Sequence, residues 1–372
     1  MTLPLVVSRS ALTLCLLASC APGQSLNTAF STQSARIGPD DGTDSCRQYV
    51  VALDSTGNFF GASILTGAAA GALGGGLLGG IASGNWRGAL IGAGAGALTG
   101  ATVAYWSALQ QRQYDQAALY TRVQGDISAD NAQITRTQYA FNRLMACRFQ
   151  QAEGINAAYH AHQIDRATAV GQMAGVRALA QRDVGLARTI DAQIEQRGQQ
   201  FVVAADNIAP GTSGQIAAGT GSPGYTATSV RPTTLRLSPD DNAPDVGTLP
   251  ARAKVTVTRN RGDYALVQTD TGETGYAATS DLRTPGAATR KRGTHAAASK
   301  HSAEPAMLMP PPAADTRTAV PESSGSTAAP SGPATPQEVA TLAGSNAARR
   351  DDFAQSVAVS DKAVASGFEV AG

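Results

Sequence analysis

Two ladders of glycine, each with a four-residue spacing, constrain this chain more than any other feature. Gly67, Gly71, Gly75 and Gly79 make the first, and Gly88, Gly92, Gly96 and Gly100 make the second. In water each glycine inside a helix costs about 1 kcal/mol relative to alanine, so a soluble helix has reason to avoid such a run. In lipid, a helix face of bare hydrogen atoms lets two backbones approach closely and hold each other by packing. Between Ser55 and Gln111 the only charged side chain is Arg87, which falls in the turn between the ladders. Ile64–Ala82 and Arg87–Trp106 are each long enough, at about 30 Å, to cross the hydrocarbon core of a bilayer. Ser83, Gly84 and Asn85 supply turn chemistry, and Trp86, Tyr105 and Trp106 stand where interfacial aromatics belong. The pattern predicts a transmembrane helical hairpin over residues 61–106. Its Ala/Gly-rich helices are weakly apolar singly, which predicts tight pairing or self-association. A soluble Ala/Gly linker is the competing reading, and it gives no reason for two ladders in step.

Upstream, Arg9 precedes an apolar run from Ala11 to Leu17, the composition of a secretory signal peptide over residues 1–19. Leu17, Ala18, Ser19 and Cys20 resemble the lipobox of bacterial lipoproteins. That resemblance implies cleavage before Cys20, acylation of that cysteine with palmitate-type chains, and membrane lipid as a partner. With Ala21 rather than aspartate next in the chain, it also implies sorting to the outer membrane of a Gram-negative cell. The competing reading is an ordinary signal cut near Ala21. An even number of spans then puts the lipidated segment 20–60 and everything beyond Trp106 on one, periplasmic, face.

The chain of 372 residues has a formal net charge of +1, and no basic excess recommends nucleic acid as a partner. With Cys20 acylated, Cys46 and Cys147 are the remaining candidates for a disulfide in an oxidising compartment. Such a bond would close a loop of about 100 residues around the hairpin, and two unpaired thiols are the alternative. An unbroken helix from Trp106 would carry Cys147 about 60 Å from the membrane, so pairing requires a break, expected near Gly125, Asp126 and Asp130.

Residues 107–208 lack proline and read as a helical hairpin or coiled coil. Met173, Val176, Ala180, Val184, Ala187, Ile190, Ile194 and Phe201 form an amphipathic stripe. Ile134, Phe141, Leu144, Ile155 and Tyr159 form a weaker one, with His160–Ile164 as the turn and Asp165 as the next cap. Residues 209–227 read as a linker. Beyond it, short alternating segments at Leu235–Leu237, Lys254–Thr258, Tyr264–Gln268 and Thr274–Ala277 predict a small all-β barrel over 228–284.

The residues of that barrel carry a second resemblance. Leu235 to Pro239, Val246 to Leu249, Val255 with Val257, Tyr264 to Val267, and Gly275 with Tyr276 resemble the bacterial SH3-like domain. The family implies a binding module directed at peptidoglycan or an envelope protein, with Tyr264 and Tyr276 as candidate ligand contacts at positions where it often has tryptophan. Residues 285–334 are a Pro/Ala/Ser-rich linker, and Thr335 with Pro336 opens a C-terminal helix over 335–366. Its apolar positions are Val339, Leu342, Phe353, Val357 and Val364.

No catalytic constellation emerges. His160 and His162 are two residues apart, a spacing that puts them on different sides of a helix, and no metal or cofactor site is expected. Lipobox and ladders together resemble the glycine-zipper outer-membrane lipoproteins, the surface-antigen-like group. The reading is multi-domain: an all-α membrane hairpin and stalk plus a small all-β SH3-like barrel. It predicts a non-enzymatic envelope lipoprotein held by Cys20 and the hairpin, whose SH3-like module binds peptidoglycan or an envelope protein. The alternative is an oligomeric ring or pore component of a transport or secretion assembly. Presentation of the barrel to a wall hydrolase is a third reading.

Overall fold

Two long proline-free stretches set the scaffold of the molecule. A computed structural model describes residues 33–62, 102–112, 114–220, 224–284 and 334–370. Residues 1–19, Cys20, the eight ladder glycines and residues 285–333 lie outside these. The described helices are α1 (Gln33–Ile37), α2 (Arg47–Ala62), α3 (Thr102–Gln111), α4 (Gln116–His160), α5 (Arg166–Ile208), α6 (Thr212–Thr220) and α7 (Pro336–Gly367). Among them none is long and apolar enough to cross a membrane.

Helices α4 and α5 form the expected hairpin. The Asp165 carboxylate accepts a hydrogen bond from the Thr168 amide at 2.7 Å, and His162 takes a positive φ of 56° in the turn. Met173, Ala180, Val184, Ala187, Ile190, Ile194 and Phe201 are buried, as are Ile134, Phe141 and Leu144. Two further helices cover the groove between the pair. Helix α2 lays Val50, Leu53 and Phe60 on it, and α7 contributes Val339, Phe353, Val357 and Val364. Helix α7 begins with a capping box in which Thr335 and Glu338 satisfy each other's backbone amides.

Cys46 and Cys147 are joined by a disulfide. The helix break that permits it lies between Gln111 and Gln116, not near Gly125. Asp126 and Asp130 interrupt nothing because their carboxylates are engaged sideways, by Tyr105 and by Arg197 respectively, leaving the helical backbone of α4 intact.

Polar layers fix the register. Beside the disulfide, the buried Arg148 guanidinium holds both Asp44 oxygens, at 2.6 and 2.8 Å, and Asp183 at 2.7 Å. Further along, Asp130 pairs with Arg197 at 2.5 Å. Asn346 of α7 donates to Asp130 and to Asn131, at 2.8 and 3.0 Å. A helix shifted by one turn would leave these groups unpaired in the interior, at about 1–3 kcal/mol each. Where α7 crosses α5, Gly198 makes room for Arg350, since a Cβ there would overlap the guanidinium.

The β module has seven strands: β1 (Tyr225–Ser229), β2 (Thr233–Arg236), β3 (Asp245–Leu249), β4 (Lys254–Arg261), β5 (Tyr264–Thr269), β6 (Thr274–Ala278) and β7 (Leu282–Arg283). They form one antiparallel sheet in the order β3-β2-β6-β5-β4-β1-β7. Ala227, Leu235, Leu249, Val255, Val257, Ala265, Val267 and Ala277 share one core, so the sheet curls around it. Gly275 is needed for that closure, because a Cβ there would sit 2.9 Å from the Leu235 Cβ.

One sequence expectation needs correction, and two observations add to the rest. The 209–227 linker holds α6, with Ile216 packed against the cluster at that end of the bundle, and the start of β1, which pairs with β4 and β7. The segment 20–60, for which no element was expected, holds α1 and most of α2. Tyr105 and Trp106 of α3 pack against the bundle cluster that includes Phe201 and Ile208.

Candidate functional site

Strand periodicity places the candidate ligand tyrosines on the outer face of the barrel. In β5 the residues Ala265, Leu266 and Val267 are all buried, and in β6 so are Gly275, Tyr276 and Ala277. A half-solvated strand alternates; three buried residues in a row mean that both faces are covered. Ala265, Val267 and Ala277 point into the barrel core. Leu266 and Tyr276 point outward, into the same apolar cluster as Phe353 and Val357 of α7.

Pairing aligns these residues in a row. Arg259 lies opposite Leu266, Leu266 opposite Tyr276, and Tyr276 opposite Arg236. One step along, Arg261 lies opposite Tyr264. Opposed residues share a face, so two tyrosines and the Arg259–Arg261 pair sit together. Helix α7 covers them. Asp352 pairs with Arg259 at 2.7 Å and also with Arg261, while Asp351 pairs with Arg259. Ser356 hydrogen-bonds with the Tyr276 hydroxyl, and Lys362 Nζ donates to Thr274 Oγ1 at 3.0 Å.

Tyr276 is therefore only 3% exposed, and burial pushes its pKa up. Tyr264 is half-buried, with its hydroxyl donating to Asp241. Tyr276 presents no free ring face in this arrangement, whereas Tyr264 keeps part of its ring exposed. Beside the contact runs a cleft of about 620 Å³ between α6, β4 and α7, lined by Ile216, Tyr225, Arg259, Arg261, Thr341 and Gly344.

A second constellation joins the two described segments that flank the ladder residues in sequence. Phe59 is three residues before the end of α2, and Tyr105 is three residues after the start of α3. Arg197 lies over the Phe59 ring, 4.7 Å from its centroid, and over Phe201 at 5.6 Å. Phe201 in turn meets Tyr105 edge to face at 5.5 Å. The Tyr105 hydroxyl donates to Asp126 at 2.8 Å. Arg197 and Phe201 are one turn apart on α5, or about 6 Å along its axis. Cation–π and edge-to-face contacts of this kind contribute about 0.5–1.5 kcal/mol each. Sequence reasoning missed this stack, although four-residue spacing of Arg197 and Phe201 was visible in it.

Among the described residues no group of His, Cys, Asp and Glu is arranged to hold a metal ion. Residues 232–283 match the bacterial SH3 domain family, so the β module is such a domain, with β1 added ahead of the matched region. No curated protein and no solved structure matches the chain.

Proposed function

We propose that this chain is a non-enzymatic lipoprotein of the bacterial cell envelope. Acylated Cys20 and a glycine-zipper hairpin through the two ladders anchor it, most simply in the outer membrane with the bundle and barrel in the periplasm. The SH3-like module contacts peptidoglycan or an envelope protein. The observation that carries the reading is the Phe59–Arg197–Phe201–Tyr105 stack. It fastens both ends of the ladder region within a turn of each other on α5, as a hairpin leaving and rejoining one bundle requires. The Cys46–Cys147 bond ties the same loop a second time. The bacterial SH3 match supports the binding half of the proposal.

Fractionation on a sucrose gradient tests the anchor. Wild type is expected with outer-membrane markers, and Cys20→Ala is expected to lose its acyl chains and to leave that fraction in part. A chain recovered wholly with soluble periplasmic proteins, before and after the substitution, would sink the proposal.

A further inference from the structure

The arginines that meet α7 face outward because of a single extra residue. Strand β4 pairs in regular register with β5 through Val255↔Thr269 and Val257↔Val267, then shifts so that Arg259 stands opposite Leu266. Val255 and Val257 point into the barrel. Strict alternation would send residues 259 and 261 the same way, into an apolar core with no partner for a guanidinium. The residue inserted at Thr258 reverses the parity, which is what a bulge does to the side chains beyond it. Arg259 and Arg261 thus join Leu266, Tyr264 and Tyr276 on the outer face.

That face has the chemistry of a ligand surface: two planar cations beside two aromatic rings and an apolar floor. Two guanidiniums side by side call for more than one carboxylate, and burial together with the Arg259 charge lowers the Arg261 pKa. The two helix carboxylates that answer them, Asp351 and Asp352, are adjacent in sequence. Helix α7 is itself committed to the bundle on its other side, through Asn346, Arg350 and Phe353. The barrel has its own core. If the contact opens, the barrel is the part that moves away.

We propose that the outer face of the barrel, centred on Arg259, Arg261 and Tyr276, is a carboxylate-binding surface whose resident ligand is the Asp351–Asp352 pair of α7, and that an acidic helical segment of a partner protein competes for it. This rests on the reading of the module as a contact for an envelope component, and it names the chemistry of that component. The resident ligand is the reason for choosing a protein segment: what the face holds is a helix presenting neighbouring aspartates.

The experiment uses the full chain, with Asp351→Asn and Asp352→Asn together. The first readout is the yield of a short bismaleimide cross-link between Thr274→Cys and Lys362→Cys, whose parent side chains touch; the native disulfide is inert to the reagent. The second is binding of a labelled peptide with the sequence of residues 346–360, beside the same peptide carrying asparagine at both acidic positions. The doubly substituted chain should lose most of the cross-link and bind the aspartate peptide about tenfold more tightly than wild type, the scale of one charge-assisted hydrogen-bond set. It should ignore the asparagine peptide, and adding Arg259→Gln with Arg261→Gln should abolish binding.

An unchanged cross-link yield overturns the latch, whatever the peptide does. A lost cross-link with no preference for the aspartate peptide over the asparagine peptide overturns the ligand chemistry. Purified peptidoglycan is the control for the other source: retention there, with no peptide binding, overturns the protein-segment assignment. If the peptide behaves as expected but the chain fractionates as soluble, the surface stands and the envelope reading falls.

Discussion

The helical bundle and the β barrel solve the same problem from opposite directions. The barrel closes one core from about sixty consecutive residues, with half of its neighbouring strand pairs consecutive in sequence. The bundle gathers α2, α4 and α5 from the N-terminal two thirds of the described chain, and α7 returns to it from beyond the barrel. Local closure needs little beyond alternation and turn residues. Assembly from distant segments carries a larger loop-closure entropy, and the bundle offsets it with a disulfide and two buried Arg–Asp layers, where the barrel buries the Thr233–Asp281 hydrogen bond. The two units should accordingly respond to different perturbations.

The largest separation is expected from Cys46→Ser with Cys147→Ser. Releasing a loop of about 100 residues should destabilise the bundle by about 4–5 kcal/mol and leave the barrel transition in place. Denaturant unfolding followed by hydrogen exchange, strand by strand and helix by helix, would show it. Equal loss in both units would mean that they unfold as one. Arg148→Met should follow at about 3–5 kcal/mol, because Asp183 is left buried and Asp44 half-buried without the guanidinium between them. Substituting all three by apolar residues should return much of that loss, a control that tells the orphaned charge from lost packing.

The same contrast explains what was legible in the sequence. The barrel was, because Leu235, Val255, Val257 and Val267 alternate and Gly275–Tyr276 is a local signature. The α4–α5 stripes were as well, since a period of three to four residues needs no knowledge of the partner. Asp165 and Thr335 announced their helices through capping alone. The outer face of the barrel was not legible, because its cover comes from Asp351 and Asp352, about ninety residues further along. The run Ala265–Leu266–Val267 was the available sign that this strand is buried on both sides. Helix α2 stayed hidden for a related reason: Asp54 in it is neutralised by Arg36 at 2.7 Å, and Gly57, which reads as a breaker, leaves room for Ile190.

Two glycines should sort by unit. Gly275→Ala presses on the Leu235 Cβ and should cost the barrel about 1–3 kcal/mol while the bundle melts unchanged. Gly198→Ala drives a methyl into Arg350 and should do the reverse on the same scale. A variant of either that shifts both transitions equally would show that the interface, not the separate cores, sets stability.

The smallest effect sharpens the comparison by pH. Asp191 on α5 has its pKa raised to about 7 by burial and by the neighbouring Glu195 charge, with Arg350 pulling the other way. In the unfolded chain an aspartate titrates near 3.9. The folded state therefore binds this proton more tightly, so the contribution is favourable below about pH 4 and is lost as pH rises toward 7. Bundle stability should decline across that window through this group, and Asp191→Asn should remove the decline, leaving the variant about 1–2 kcal/mol more stable than wild type at pH 8. The barrel strands packed away from α5 should show no such dependence. Denaturant midpoints at pH 5 and pH 8 decide it: parallel shifts in wild type and variant would mean that Asp191 is ionised and solvated in the folded bundle.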